Sequence, residues 1–230
     1  MRPEPVDPRW PKLLSLAAHE FRTPMTVVAG YLRMLLKERA GPVSDQQRRL
    51  LEEAEKSCAR LSFLLSEVSD VAGLESGIAS FNRSEADLHT ILRDAVAGLP
   101  DLPDREVGVE LQTDSGPSKV QADPVRLKAA LSSVIVALRR ELVTSDRLLV
   151  REHPRHFQGS HVSWIVVADP GRVTALNGAE PLALTTFDEW RGGVGLSLAI
   201  ARRIINAHGG SIWSPVEESK AGAVIALPLA

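Results

Sequence analysis

The sequence has one cysteine, Cys58, which excludes an internal disulfide framework and any zinc site built from clustered cysteines. No apolar run approaches the ~18 residues that a membrane-spanning helix needs. Net charge is −2, so no overall basic field is available to hold nucleic acid without regard to sequence. Internal repeats and low-complexity tracts are absent, and residues 1–11 lack the apolar core of a secretory leader. What is present is ordinary for a soluble globular protein: 44% apolar and 24% charged residues over 230 positions, enough for one large domain or two small ones. A cytoplasmic chain is the expectation.

Residues 1–11 read as an extended linker, because Pro3, Pro5, Pro8 and Pro11 each oppose helix in the residue before them. A long helix is predicted over about residues 12–39. Its apolar positions Leu14, Phe21, Met25, Val28, Leu32 and Leu35 advance mostly by threes and fours, as one buried stripe. Ala40, Gly41 and Pro42 stop it, and Ser44 with Gln47 forms a capping box for a second helix to about residue 74. The second stripe is Leu50, Ala54, Cys58, Leu61, Leu65, Val68 and Ala72, with Cys58 as a packing residue. Two such helices make an antiparallel hairpin with too little core of its own. Pairing two copies into a four-helix bundle is the remedy, which predicts a homodimer through residues 12–77.

Beyond Gly77 the pattern changes. Helices are expected over residues 87–99, over 123–142 with Asp123 as cap and Pro124 at the first position, and over 195–208. Strands are expected over 107–112, 119–122, 148–150 and 162–167, and a closing hairpin over 211–213 and 223–227. The mixture predicts an α+β sandwich over 78–230, helices on one face of a mixed sheet. His153, His156 and His161 read as a polar surface loop, His89 and His208 as surface or helix-end residues, and Arg48 and Arg49 as a solvated face.

His19 lies opposite the predicted stripe, on the wetter face of the first helix with Arg22, Thr23 and Thr26. A solvated surface histidine is the plain alternative, but its neighbours argue for chemistry. Glu20 can take the proton from one ring nitrogen and leave the other more nucleophilic. Thr23, one turn on, reaches the same reacting group. Pro24 removes a backbone N–H inside the helix, a cost of roughly 3 kcal/mol that needs a reason. The run His19-Glu20-Phe21-Arg22-Thr23-Pro24 resembles the H-box of the two-component sensor histidine kinases, and Ser69 through Gly77 is similar to the exit from that family's dimerisation hairpin. The resemblance runs from about Leu13 to Leu229. It implies that His19 takes the γ-phosphoryl group of ATP and passes it to an aspartate on a response-regulator receiver domain. It further implies Glu20 as general base and Thr23 as the residue that orients water to dephosphorylate the regulator. Membrane tethering is expected only if the chain is part of a longer sensor.

The run Gly192-Gly193-Val194-Gly195-Leu196-Ser197-Leu198-Ala199 opens the last predicted helix. Glycines there let backbone N–H groups approach an anion. The run is similar to the second glycine box of the ATP-binding domain shared by histidine kinases, gyrase-type topoisomerases and heat-shock chaperones. The resemblance assigns Gly193, Gly195 and Leu196 to nucleotide, Asp169 and Gly171 to the adenine end, and Ser133 and Arg140 to the helix that faces the phosphates. It departs in three places. Val173 stands where a glycine is expected, the stretch between Asp169 and Gly193 is short for a nucleotide lid, and Ala137 occupies the position of the Mg²⁺-ligating asparagine. ATP and Mg²⁺ are the implied cofactors, yet no residue is assigned to metal. Phe187 and Trp190 are divided between core packing and base contact. An ATP-driven conformational machine is disfavoured by the His19 hairpin. The alternative to an active autokinase is a degenerate kinase serving as a phosphotransfer, phosphatase or receiver-docking module.

Overall fold

The computed structural model describes residues 9–102, 106–114, 116, 118–142, 145–180, 183–193, 195–216 and 222–230. Most of the expected linker, and Val194 of the glycine run, lie outside the described residues. The chain divides into two compact units, Met1–Ala79 and Ser80–Ala230.

The first unit is a helical hairpin of α1 (Trp10–Leu36) and α2 (Asp45–Glu75). Pro11, expected in the linker, sits instead in the first turn of α1, where its missing N–H costs nothing. α1 stops three residues earlier than its apolar pattern suggests, since Glu38 takes a left-handed φ of 54° and Gly41 one of 118°. Ser44 and Gln47 form the expected capping box, with Ser44 N–H donating to Gln47 Oε1 at 2.9 Å. Arg48, expected only as a solvated residue, donates to the Leu36 carbonyl at 3.1 Å and so closes the end of α1.

The two buried stripes need correction. Ala18, Cys58 and Ala72 are buried, and Leu14, Met25, Leu32, Leu65 and Val68 are half-buried. Phe21 (61% exposed), Val28, Leu35, Leu50 and Leu61 are not covered by the protomer. Helical geometry explains the error. The row that meets α2 runs through Leu14, Ala18, Met25, Ala29 and Leu32. The uncovered residues, with Leu13, Val27 and Tyr31, form a second apolar face.

The second unit contains β1 (Ser84–Asp87), α3 (Leu88–Ala97), β2 (Gly108–Thr113), β3 (Lys119–Ala122), α4 (Pro124–Glu141), β4 (Arg147–Phe157), β5 (Ser160–Ala168), α5 (Pro170–Asn177), β6 (Leu184–Thr186), α6 (Ser197–Ala207), β7 (Ser211–Pro215) and β8 (Ala223–Pro228). Six strands form one sheet in the order β2-β4-β5-β8-β7-β6, in which only β2 and β4 are parallel. β1 and β3 make a separate antiparallel ribbon.

β4 and β5 are longer than expected and join through two residues with left-handed φ, Gln158 (50°) and Gly159 (83°), which fits a tight hairpin turn. The three histidines therefore lie on strands rather than in a loop. His156 and His161 stack across the hairpin with centroids 3.9 Å apart. His153 is partly buried, and its Nδ1 has no hydrogen-bond partner among the described residues.

Residues 162–168 are buried throughout, because alternate side chains meet different layers. Ser163 donates to the buried Glu152 carboxylate at 2.6 Å, which also receives Ser118 Oγ at 2.9 Å and pairs with His89 of α3 at 2.7 Å. Thus α3, and with it the α4 and α6 packed alongside, occupies that side. Trp164, Val166 and Ala168 point the other way and pack with Val173, Leu176 and Ala179 of α5 and its exit. Trp164 donates its indole N–H to the Leu176 carbonyl at 3.2 Å, beneath the Arg155 guanidinium at 4.5 Å and beside Phe157 and Trp213. Helices therefore cover both faces of the sheet, not one.

Candidate functional site

Ala18 is buried against α2, and each helical step turns the next side chain by about 100°. His19 consequently faces solvent, as do Glu20 and Thr23. Thr26 donates to the Arg22 carbonyl at 2.9 Å, and the Arg22 guanidinium donates to Ser69 Oγ at 3.2 Å. Ser69 in turn donates to the Leu65 carbonyl at 3.0 Å, so the polar face of α1 is tied to α2 beside His19. α1 continues unbroken through Pro24. A cavity of about 450 Å³ opens next to the imidazole, lined among others by Lys12, Ser15, His19, Ser69, Gly73 and Ser76. A nucleophilic ring nitrogen, a carboxylate, a hydroxyl one turn away and a nearby ammonium group together suit phosphoryl transfer.

In the second unit, Asp123 organises the start of α4. Its carboxylate accepts from Arg126 N–H and from Asn82 N–H, both at 3.0 Å. These N–H donors, led by that of Arg126, hold the Asp123 carboxyl below the usual carboxylate range. Its own N–H donates to His208 Nε2 at 2.9 Å, while His208 Nδ1 lies 2.7 Å from the Ile204 carbonyl. That pairing places a proton on Nδ1 and ties His208 into the end of α6, so of the two expectations it is the helix-end residue, buried rather than at the surface. His89 is likewise bound to a buried carboxylate rather than solvated.

The nucleotide-type positions fall as follows. Ser133 Oγ donates back to the Ala129 carbonyl at 3.0 Å, and Arg140 is exposed on the last turn of α4. Ala137 is fully buried. Asp169 caps α5, accepting from Gly171 N–H at 2.9 Å through Oδ1. Its Oδ2 is buried without a hydrogen-bond donor among the described residues, 3.4 Å from Arg172 Nε. Gly192, Gly193 and Gly195 all take left-handed φ (76°, 58° and 69°), which a side chain would resist. Leu196 stands at the N-cap of α6 and supplies no side-chain cap. Phe187 is buried and Trp190 is 75% exposed, so the two aromatics divide between core and surface.

The sequence did not announce two features. The segment after Asp169, short for a lid, folds as α5 on the far face of the sheet. Arg191 is buried in an ion pair with Glu141 of α4, and it also donates to the Gly222 carbonyl at 3.3 Å. Asp169 Oδ2, ion-paired with Arg172 but without a hydrogen-bond donor among the described residues, suits an amino group such as that of adenine. The residues around Ala137 do not suit Mg²⁺, which requires oxygen ligands in near-octahedral array. Among the described residues no three carboxylate, imidazole or thiol groups converge on a metal position. No described helix is long and apolar enough to cross a membrane.

Residues 12–77 match the model of the His Kinase A (phospho-acceptor) domain family. The chain is 25% identical to the circadian input-output histidine kinase CikA of Synechococcus elongatus, over 87% of this chain and 27% of the relative. It is 28% identical to the sensor histidine kinase GacS of Pseudomonas protegens, over 87% of this chain and 22% of that one. It is 26% identical to the sensor protein FixL of Bradyrhizobium diazoefficiens, over 88% and 40%. The chain thus spans well under half the length of these relatives. Among solved structures, full-length ShkA in complex with AMPPNP superposes with a TM-score of 0.69 at 24% identity, over 96% of this chain and 46% of that one. The histidine kinase AdeS of Acinetobacter baumannii gives 0.56 at 21% identity, over 92% and 98%. The resemblance drawn from the H-box therefore holds in sequence over the hairpin and in fold over the chain.

Proposed function

We infer, from a chain whose residues 12–77 carry a histidine-kinase phosphoacceptor domain, that this protein is the core of a two-component sensor histidine kinase. The hairpin 12–77 bears the phosphoacceptor and residues 78–230 are the kinase domain. The observation that carries this reading is the solvent-facing His19, flanked by Glu20 and one turn from Thr23. An unprotonated ring nitrogen of His19 attacks the γ-phosphorus of ATP. A phosphorus–nitrogen bond forms, the bond to the bridging oxygen breaks, and ADP leaves with its electron pair. Glu20 takes the proton from the other ring nitrogen. An aspartate of a receiver domain then attacks phosphohistidine, and His19 recovers its proton. Thr23 orients the water that later hydrolyses the aspartyl phosphate. In the kinase domain, Asp169 holds the adenine end, and Gly193, Gly195 and Leu196 bring the α6 entrance to the phosphates, with Ser133 and Arg140 on α4. The residues at Ala137 do not fit a metal ion.

The exposed apolar face of the hairpin, with Phe21, Val28 and Tyr31, supports a homodimer. The need for ATP and a receiver domain supports a cytoplasmic location. Labelled ATP should give an acid-labile label that His19→Gln removes. Thr23→Ala should keep that label and slow dephosphorylation of the regulator. The alternative is a degenerate kinase that works as a phosphotransfer, phosphatase or receiver-docking module. Under it, His19 takes no label from ATP but does take it from a phosphorylated receiver. Absence of label from both donors sinks the autokinase and the phosphotransfer readings and leaves only docking or phosphatase work.

A further inference from the structure

Ala137 and Glu141 are one turn apart on the same face of α4. The segment Arg191-Gly192 runs along that face. A β-carbon placed on Gly192 would lie 2.8 Å from the Ala137 Cβ and 3.1 Å from its Cα. Gly192 also sits at a φ of 76°, so it has neither the space nor the backbone conformation for a side chain. The restriction is mutual. With Gly192 seated there, an asparagine-sized side chain at 137 has no room to project. One turn on, the Arg191 guanidinium donates to Glu141 Oε2 from Nε at 2.7 Å and from a terminal nitrogen as well. The Arg191 side chain is only 7% exposed, and its remaining donor reaches the Gly222 carbonyl. A buried guanidinium with a carboxylate and a carbonyl as partners resists separation, since either partner alone would be left uncompensated.

We infer that the position at which related domains hold a divalent metal is in this chain an internal packing contact, Gly192 on Ala137, latched by Arg191 onto Glu141, and is closed to Mg²⁺. The inference rests on the reading of residues 78–230 as a nucleotide-binding fold, but not on turnover. It joins the missing ligand at 137 and the Arg191–Glu141 ion pair into one structural change.

Calorimetric titration of the full chain with ATP, in excess Mg²⁺ and in EDTA at matched ionic strength, tests it. The dissociation constants should agree within about twofold. Tightening of about tenfold or more by Mg²⁺, which is ~1.4 kcal/mol, overturns the inference. No heat in either condition leaves the closure standing and removes the nucleotide reading instead, so the two failures are distinct. Electron paramagnetic resonance with Mn²⁺ alone should find no bound ion, and a bound ion that persists when surface carboxylates are neutralised overturns the closure. The latch has its own measurement. Glu141→Gln should lower the thermal midpoint by roughly 5 °C, and an unchanged midpoint overturns the latch.

Discussion

Acid sensitivity in this protein is set by single residues. Thr90 Oγ donates to Asp87 at 2.6 Å and, with the helix N–H groups behind it, holds that carboxyl below its usual range. The N–H groups at the start of α4 do the same for Asp123. A carboxyl with a depressed folded value contributes stability above its ordinary value of 3.8, and loses it as pH falls through the folded one. His153 acts at higher pH. Burial pushes its imidazole below the ordinary 6.5, ahead of the opposing effects of nearby charges. The unfolded chain then binds more protons than the folded one, so stability is complete above pH 6.5 and declines as pH falls from there toward the lower folded value. Urea denaturation of the full chain between pH 7 and 5 should show this decline, and His153→Gln should flatten it. A decline of equal slope in the variant would assign the effect elsewhere. The capping role of Asp123 was legible in the Asp-Pro pair. The burial of His153 was not, because alternation within β4 depends on a strand length that the short apolar run 148–150 understated.

At the level of elements, Glu152 binds the layers together. Its carboxylate sits on β4, fully buried, and collects hydroxyls from Ser118 and Ser163 together with the imidazole of His89. Glu152→Ala strands all three, and breaking such a buried pair costs about 3–5 kcal/mol. Glu152→Gln keeps the shape and part of the bonding, so it should fall between the two. Chemical denaturation monitored by far-ultraviolet dichroism ranks them, and an alanine variant as stable as the parent would remove the network from the stabilising set. The hairpin helices, α4 and the closing β7–β8 pair were readable from periodicity and caps. α5 was not. Asp169-Pro170-Gly171 serves equally as a turn or as a cap with proline at the first helical position, and nothing in the run 162–168 tells which layer covers which face.

The hairpin leaves an apolar face open in the protomer, and the proposed homodimer rests on it. Phe21 and Tyr31 are 61% and 64% exposed on α1, on the side away from α2, and neither has a reason to face water in a monomer. Phe21→Glu combined with Tyr31→Glu should shift sedimentation from dimer to monomer at micromolar concentration, with the fold of residues 80–230 intact by near-ultraviolet dichroism. A variant that still sediments as a dimer would move the interface elsewhere. Periodicity led to the expectation of a dimer, but it merged two apolar faces into one stripe. A single chain cannot reveal which face meets its own partner helix and which meets another copy.

The four tryptophans fall into two optical classes. Trp164 is enclosed and Trp213 partly so, stacked within the aromatic cluster under Arg155, while Trp10 and Trp190 lie 55% and 75% open to solvent. A soluble quencher such as iodide therefore darkens the open pair and spares the enclosed one. With Trp10 replaced by phenylalanine, the quenchable light comes chiefly from Trp190, next in sequence to the arginine that clasps α4. The chain thus carries its own lamp for watching that clasp open or stay shut, without an added dye.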